Sequence, residues 1–112
     1  MSYSPGIGAN SGGTQQVSTK TPLTASTPTN ATVTGTSSQV VASNASRKGL
    51  SIINLSTDII YIGLGTTALL QKGIALTQTG SVYEMSEYDY TTSSVTAISS
   101  GASSIISIQE FT

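Results

Sequence analysis

The sequence predicts an all-β fold, a small antiparallel β-sandwich or barrel of jelly-roll-like form with an extended N-terminal arm. From about residue 40 onward, short apolar runs rich in β-branched residues recur at roughly ten-residue spacing, separated by Gly, Asn and Ser turns. No segment carries a sustained apolar stripe at helical spacing. Before that point, all three prolines and few large apolar side chains are found. Such a segment cannot bury enough surface to offset its own ordering entropy.

This change of composition divides the chain into an arm at residues 1–36 and a β-sandwich domain at residues 37–112. Two interpretations of the arm remain open: a dispensable tail, or a segment that orders against a partner chain and extends the partner's sheet. In the second interpretation its isolated apolar residues are the anchors: Tyr3, Ile7, Val17, Leu23 and Val33.

The first strands of the domain follow from their β-branched content. Residues 39–42 begin the pattern, and the polar residues 44–49 form a turn. Residues 50–55 are a second strand, in which two adjacent isoleucines break the alternation and indicate a bulge. Residues 59–64, Ile-Ile-Tyr-Ile-Gly-Leu, are the strongest strand of the sequence.

The second half of the domain is less regular. Residues 68–72 fit either a strand or a single helical turn, and residues 81–85 are a further strand. A polar loop with tyrosines occupies residues 86–94. Residues 95–98 and 104–108 then form a predicted closing hairpin.

The predicted core consists of the apolar residues that share the inward face of these strands. They are Val41, Leu50, Ile52, Ile60, Ile62, Leu64, Leu76, Val82, Val95, Ile98, Ile106 and Ile108. A core of this size stabilises a domain of about 70 residues only marginally. Because cysteine is absent, disulfides cannot help. We therefore expect a homo-oligomer, and a trimer is the state that we predict.

The composition argues against chemistry and against nucleic acid. The chain has no histidine and no cysteine, so Ser-His and Cys-His nucleophile pairs and thiolate metal sites are impossible within it. We expect no catalytic residues, no cofactor and no metal. The four cations are scattered, which is unlike the basic stripe of a nucleic-acid-binding protein. No apolar run approaches the roughly 18 residues of a membrane span, and no secretory signal peptide is visible at the N-terminus.

Two charged clusters are the candidate contact sites of the domain. Arg47 and Lys48 lie in a turn and are candidates to contact phosphate or a partner carboxylate, although a solvated turn also explains them. The acidic residues Glu84, Glu87 and Asp89 lie among tyrosines. A pair of carboxylates could serve a glycosidase, with Glu84 and Glu87 as the acids, or hold calcium, but the sequence favours a solvated loop with tyrosines packed on its base.

The run from Ser46 to Gly63 resembles a pattern of small virion proteins of tailed bacteriophages. An Arg-containing turn leads to an apolar strand ending in Asn, and a polar turn precedes a strand of the type Ile-Tyr-Ile-Gly. A Gly turn, the acidic-aromatic stretch, Ala-Ile-Ser-Ser-Gly at residues 97–101 and a late glutamate, Glu110, continue the resemblance. It covers about residues 46–111 and not the arm. The proteins it resembles include capsid decoration (cement) proteins and head fibres.

The resemblance implies an all-β virion component that binds coat subunits without catalysis. We expect a capsid decoration protein on the outer surface of the head, whose partners are the major capsid protein and copies of itself. The alternative is a tail, baseplate or fibre-tip domain that binds a host glycan or receptor. In that case Tyr83, Tyr88 and Tyr90 with Glu87 and Asp89 would form the binding face. If the protein is found outside the cell, release by lysis inside an assembled particle is one route that would bring it there.

Overall fold

A computed structural model of the chain describes residues 22–112. These residues form eight strands and no helix. In chain order the strands are β1 Ser26–Val33, β2 Ser38–Val41, β3 Gly49–Asn54, β4 Ile60–Leu64, β5 Ile74–Leu76, β6 Val82–Glu84, β7 Val95–Ser99 and β8 Ser104–Phe111. The described residues therefore contain no helix long and apolar enough to span a membrane.

The strands form two four-stranded antiparallel sheets that pack face to face. The front sheet has the order β1-β8-β3-β6, and the back sheet has the order β2-β7-β4-β5. Strand β1 therefore pairs with β8, β2 with β7, β3 with β6, and β4 with β5. This nesting is a long hairpin rolled into two layers, which is the jelly-roll arrangement. The predicted fold class, an all-β sandwich of jelly-roll-like form, is confirmed.

The structure moves the boundary between arm and domain toward the N-terminus. Strand β1 pairs with β8 along its whole length, from Ser26 opposite Phe111 to Val33 opposite Ser104. Residues 26–36 thus belong to the domain, whereas the sequence prediction placed them in the arm. Most side chains of β1 are exposed, so backbone pairing rather than apolar burial holds the strand. Residues 1–21 lie outside the described residues.

Pro28 suits this edge strand. Ala25 and Thr112 exchange two backbone hydrogen bonds, of 3.1 and 2.9 Å. In an antiparallel pair such residues alternate with residues whose backbone groups point away. The backbone groups of residue 28 therefore point away from β8 toward solvent, and the N–H that proline lacks removes no hydrogen bond between β1 and β8. It also interrupts the row of free donors that another strand would need for pairing at this edge.

The core lies between the sheets, and most of its predicted members are confirmed. Buried in one central cluster are Val41, Leu50, Ile52, Ile60, Ile62, Leu76, Val95, Ile106 and Ile108, and Leu64 packs against them partly buried. Val82 is a wrong prediction, because it is 48% exposed. Its neighbour Tyr83 points inward instead and joins the cluster, as does Val33.

Ile98 is buried outside this central cluster, on the outer side of the back sheet. It packs there with Tyr61 and with Ala68, which belongs to the loop at residues 65–73. That loop lies close to β4 at Gly63. A Cβ atom at Gly63 would come within 2.4 Å of Thr96 Oγ1 and 2.6 Å of Thr66 O, so only glycine allows the approach. The loop is therefore a cover for the outer face of the back sheet.

Three local predictions were wrong. Residues 68–72 form a loop with a turn in which Lys72 N donates to Leu69 O at 3.3 Å, rather than a strand or a helical turn. Strand β3 pairs with β8 in unbroken register, so it has no bulge. Within residues 22–112 a register shift lies instead in β2, between Gln39 and Val41. Strands β7 and β8 belong to different sheets, so residues 100–103 cross between layers and close no hairpin.

Candidate functional site

One end of the sandwich gathers most of the residues that the sequence singled out. We call it the loop end, and it consists of residues 22–25, 42–48, 85–94 and 111–112. The last residues of the chain are tied to the first described ones, since Thr24 N and Ala25 N both donate to Thr112 O. The two loops are also joined, because Asn44 N donates to Thr92 O at 2.8 Å. The N-terminal segment thus leaves the domain beside these two loops.

Arg47 is the centre of the loop end, and it is 1% exposed. Its Nε donates to Glu110 Oε2 at 2.8 Å and forms an ion pair with that carboxylate. Nη1 donates to the carbonyl oxygens of Thr91 and Ser93, at 2.9 and 2.7 Å, and Nη2 donates to Ala42 O at 2.7 Å. The guanidinium therefore joins both loops to β8 from inside the domain.

The predicted role of Arg47 as a partner contact is therefore wrong. Its donors are directed at carbonyl oxygens of its own chain, and its own carbonyl oxygen accepts a hydrogen bond from the Tyr90 hydroxyl. Val33, another predicted contact, is fully buried in the core and is likewise inaccessible to a partner. Both residues stabilise the domain instead.

Lys48 and Leu23 fit the prediction of a contact surface better. Lys48 is exposed, and its Nζ donates to Pro22 O at 2.7 Å, at the point where the N-terminal segment leaves the domain. Leu23 is also exposed. The structure thus places these two residues together at the loop end. The remaining predicted anchors, Tyr3, Ile7 and Val17, lie outside the described residues.

The acidic-aromatic loop uses Asp89 to hold its own shape. Asp89 Oδ2 accepts from the Tyr83 hydroxyl at 2.7 Å, and Oδ1 accepts from Ser86 N and Ser86 Oγ at 2.6 and 3.0 Å. These bonds, with the Tyr83 hydroxyl first, hold the pKa of the Asp89 carboxyl below its ordinary value. Burial, and then the bond to Asp89, raises the pKa of the Tyr83 hydroxyl. Asp89 therefore stabilises the conformation of this loop.

The three tyrosines of this region do not form the single face that the alternative hypothesis requires. Tyr83 is buried in the core, and the Tyr90 hydroxyl is engaged at Arg47. Tyr88 is 92% exposed and stands free of the domain surface. Within residues 22–112, moreover, no group of three or more acidic side chains is arranged to hold a metal ion.

Two shallow grooves flank Lys48 and Tyr90 at the loop end. One, of about 470 Å³, is lined by Lys48, Met85, Ser86, Glu87 and Tyr90. The other, of about 490 Å³, shares Lys48 and Tyr90 and continues past Arg47 to Thr24 and Thr112. Together they offer apolar, cationic and anionic groups on one open surface. Such a surface suits contact with an extended polypeptide or a sugar better than enclosure of a small substrate.

A second polar cluster lies at the opposite end of the sandwich, and sequence reasoning missed it. Asn54 is fully buried and donates through Nδ2 to Asp58 O and Leu76 O, at 2.8 and 3.0 Å. Its Oδ1 accepts from Ser56 N and Ser56 Oγ, at 2.9 and 2.8 Å. The buried Ser104 hydroxyl donates to Asp58 Oδ2 at 2.8 Å. These groups satisfy one another inside the fold, and they leave no opening for a ligand.

Comparison of the chain with protein-family models, with curated proteins and with solved structures found no match.

The hydrogen bonds to the Asp89 carboxylate predict a specific pH dependence of stability. Because the folded-state pKa of Asp89 is depressed, its contribution is present above the unfolded-state value, about 3.9, and is lost as pH falls through the folded-state value. We expect the unfolding free energy to fall as the pH drops below about 5 and toward the folded-state value, and to fall less in Asp89→Asn. Chemical denaturation at several pH values measures this. The control is Glu87→Gln, which neutralises an exposed carboxylate in the same loop. If Glu87→Gln weakened the pH dependence of the unfolding free energy as much as Asp89→Asn, the assignment to Asp89 would be contradicted.

Proposed function

We propose that this chain is a structural virion protein, a capsid decoration (cement) protein that binds and stabilises the phage head. One observation carries the proposal. Residues 22–25, the first that the structure describes, lie at the loop end, where Lys48 bonds to Pro22, Leu23 is exposed and Thr24 lines a groove. The arm and the most varied contact surface of the domain can therefore engage the same partner. The predicted partner is the major capsid protein, on the outer surface of the capsid.

The use of polar groups within the domain supports a binding role over a catalytic one. The buried polar residues of the described chain are Arg47, Asn54, Ser99 and Ser104, and each is hydrogen-bonded within the domain. Arg47 also lines one of the shallow grooves of the loop end, but its side-chain donors are directed at oxygen atoms of its own chain. The absence of histidine and cysteine from the sequence adds to this.

The jelly-roll arrangement agrees with the proposal. This arrangement recurs in viral capsid and lectin domains because its two layers make a rigid platform with loops at both ends. A fold by itself does not define a function. It does set the mechanism that we propose, in which a rigid domain stands on the shell while the arm runs between coat subunits.

Oligomerisation would strengthen such attachment. In the proposed trimer, the first arm to bind would bring the other two to high local concentration. Effective concentrations in the millimolar range are usual for short flexible links, and they raise avidity by roughly 10²–10⁴. A weak contact by each arm would then be enough to hold the trimer on the capsid.

Substitution of the arm anchors tests the proposal. In the full chain, Tyr3→Ser, Ile7→Ser and Val17→Ser together are expected to reduce binding to purified heads lacking the protein by at least about tenfold, because each removes apolar area that the contact would bury. Cosedimentation of protein with heads measures this. The matched control is Ser11→Ala, Gln15→Ala and Thr19→Ala, which changes three polar residues of the same segment and is expected to bind normally.

The structure shows why substitution is preferable to removal of the whole predicted arm. Deletion of residues 1–36 would also remove β1 and the buried Val33, so the domain would lose an edge strand and part of its core. Loss of binding would then reflect unfolding. Undiminished binding by the anchor variant, with the wild-type chain saturating the heads, would overturn the arm mechanism.

A tail, baseplate or fibre-tip protein that binds a host glycan is the second candidate. The exposure of Tyr88 favours it, because an aromatic ring free of the surface can stack on a sugar. Number of copies per particle separates the two proposals. Hundreds of copies, counted by quantitative mass spectrometry of purified particles, support capsid decoration, whereas a handful support a tail or fibre position.

A further inference from the structure

The outer faces of the two sheets differ in how they are covered. The loop at residues 65–73 folds over the back sheet, and Ala68 packs there against Tyr61 and Ile98. No described segment crosses the front sheet in this way, and its outward residues remain partly or fully exposed. The domain thus buries one outer face with its own chain and leaves the other open.

Apolar side chains are concentrated on this open face. Ile53 of β3 lies directly opposite Val82 of β6. Just beyond the end of β3, Leu55 N donates to Ile105 O at 3.0 Å, which places Leu55 beside Ile105 of β8. We call Ile53, Leu55, Val82 and Ile105 the front patch. Leu55, Val82 and Ile105 are among the large apolar residues that the described domain exposes most.

The front sheet is also almost free of charge on its outer side. Because side chains alternate along a strand, Ser51 and Ile53 of β3 point outward. On β8, Ile105, Ser107 and Gln109 point outward, since they alternate with the buried isoleucines. Among the outward positions of these four strands, all within the described residues, the one charged side chain is Glu84. Each copy therefore brings a single carboxylate to the contact, on the edge strand β6, and no wider set of like charges has to be buried.

We infer that a second copy of this chain packs on the outer face of the front sheet, with the front patch at the centre of the contact. The inference goes beyond the proposed function, because contact between the same face of two copies is twofold and is separate from the contact that would form the predicted trimer. The strands of the sheet offer roughly 400 Å² of flat area per copy, from their lengths and the usual spacing between strands. Contact between two copies would bury about 800 Å² in total, which is below the roughly 1,000 Å² that a stable specific interface clears and within the range of weak, transient contacts. The association is accordingly reversible and depends on concentration.

Introduction of charge into the front patch of the full chain tests this surface. Leu55→Glu with Ile105→Glu puts two carboxylates into the contact, where burial without partners is costly. Its matched control is Leu69→Glu with Leu70→Glu on the loop of the back sheet. The exposed fractions agree closely, at 51% and 44% for the first pair and 52% and 46% for the second. Sedimentation equilibrium over a range of protein concentrations measures the association of each variant.

We expect the wild-type chain and the control to associate with the same dissociation constant. The front-patch variant is expected to have a dissociation constant at least about tenfold higher, or to be monomeric throughout. Circular dichroism and thermal unfolding establish that each variant is folded. If the double variant does not fold, Val82→Glu, which alters a 48% exposed residue of the same patch, is measured in its place.

Three results would overturn the inference. A wild-type chain that stays monomeric would mean that the face is uncovered or is occupied by its own N-terminal segment. Unchanged association of a folded front-patch variant, or equal loss in the control, would place the contact elsewhere. Head binding is measured separately, so the two proposals can fail independently. A monomer that still binds heads would remove only the self-association surface, and an oligomer that does not bind heads would remove only the decoration role.

Discussion

Arg47→Ala is expected to lower the free energy of unfolding by about 3–5 kcal/mol, the range for removing one partner of a buried ion pair. The substitution leaves the Glu110 carboxylate without its cation and leaves three carbonyl oxygens without their donor. Domains of this size have a total stability of only about 5–15 kcal/mol. A large part of the population would therefore unfold in mild denaturant, and urea titration followed by circular dichroism measures the shift.

Two further variants show whether geometry or charge matters at this position. Arg47→Lys keeps the cation but loses the planar fork that reaches Glu110 and the carbonyl oxygens together, so it is expected to recover only part of the stability. Lys48→Ala removes the neighbouring cation, which is exposed, and is expected to change stability by less than about 1 kcal/mol. Equal loss in the Arg47 and Lys48 variants would contradict the central position of Arg47.

The hydrogen bonds of Arg47 also bear on the proposed function. Arg47 holds the loop at residues 85–94 through Thr91 and Ser93, and it holds β8 through Glu110. The grooves of the loop end are lined by residues of these same segments. Arg47 therefore fixes the shape of the proposed contact surface without itself touching a partner.

The alternation of apolar residues was enough to predict the inward faces of the central strands. The alternation of Leu50 with Ile52, and of Ile60 with Ile62, defines the inward faces of β3 and β4, and all four residues lie in the central core. Val82 and Tyr83 show the limit of the method. Either residue can be assigned to the inside of a three-residue strand, and the bond between the Tyr83 hydroxyl and Asp89 helps to make the larger side chain the buried one.

Backbone pairing is what the sequence could not show. Strand β1 consists mainly of Ser, Thr, Pro and Asn, and at an edge its side chains bury little. Its order comes from hydrogen bonds to β8, a strand about 80 residues away in the chain. A prediction based on apolar content therefore assigns such a segment to a flexible arm.

Long-range polar partnerships were hidden for the same reason. Arg47 and Glu110 are 63 positions apart, and nothing near Arg47 in the sequence distinguishes a buried arginine from a solvated one. Exposure is the usual state of both residue types. Lys48 stays exposed at the loop end, so its contact with a partner remains a prediction, whereas Arg47 is buried.

Asn54→Ala is expected to destabilise the domain by about 2–4 kcal/mol, because an unsatisfied buried polar group costs about 1–3 kcal/mol and more than one group loses its partner here. The side chain bonds to Asp58, Leu76 and Ser56, and thereby joins the connection after β3 to the end of β5. Asn54→Asp keeps the size of the side chain but places a carboxylate against two carbonyl oxygens. It is expected to be at least as destabilising, which would show that the amide donors rather than the volume matter.

Asn44 provides the matched control for this prediction. Its Oδ1 accepts from Ser46 N at 3.0 Å in an exposed turn, so water can replace the lost bond. Asn44→Ala is expected to cost less than about 1 kcal/mol in the same urea titration. If the two alanine variants lost equal stability, the buried network around Asn54 would contribute no more than a surface turn. A larger loss at Asn54 would instead establish that polar bonding fastens the end of the sandwich opposite the loop end, as Arg47 fastens the loop end itself.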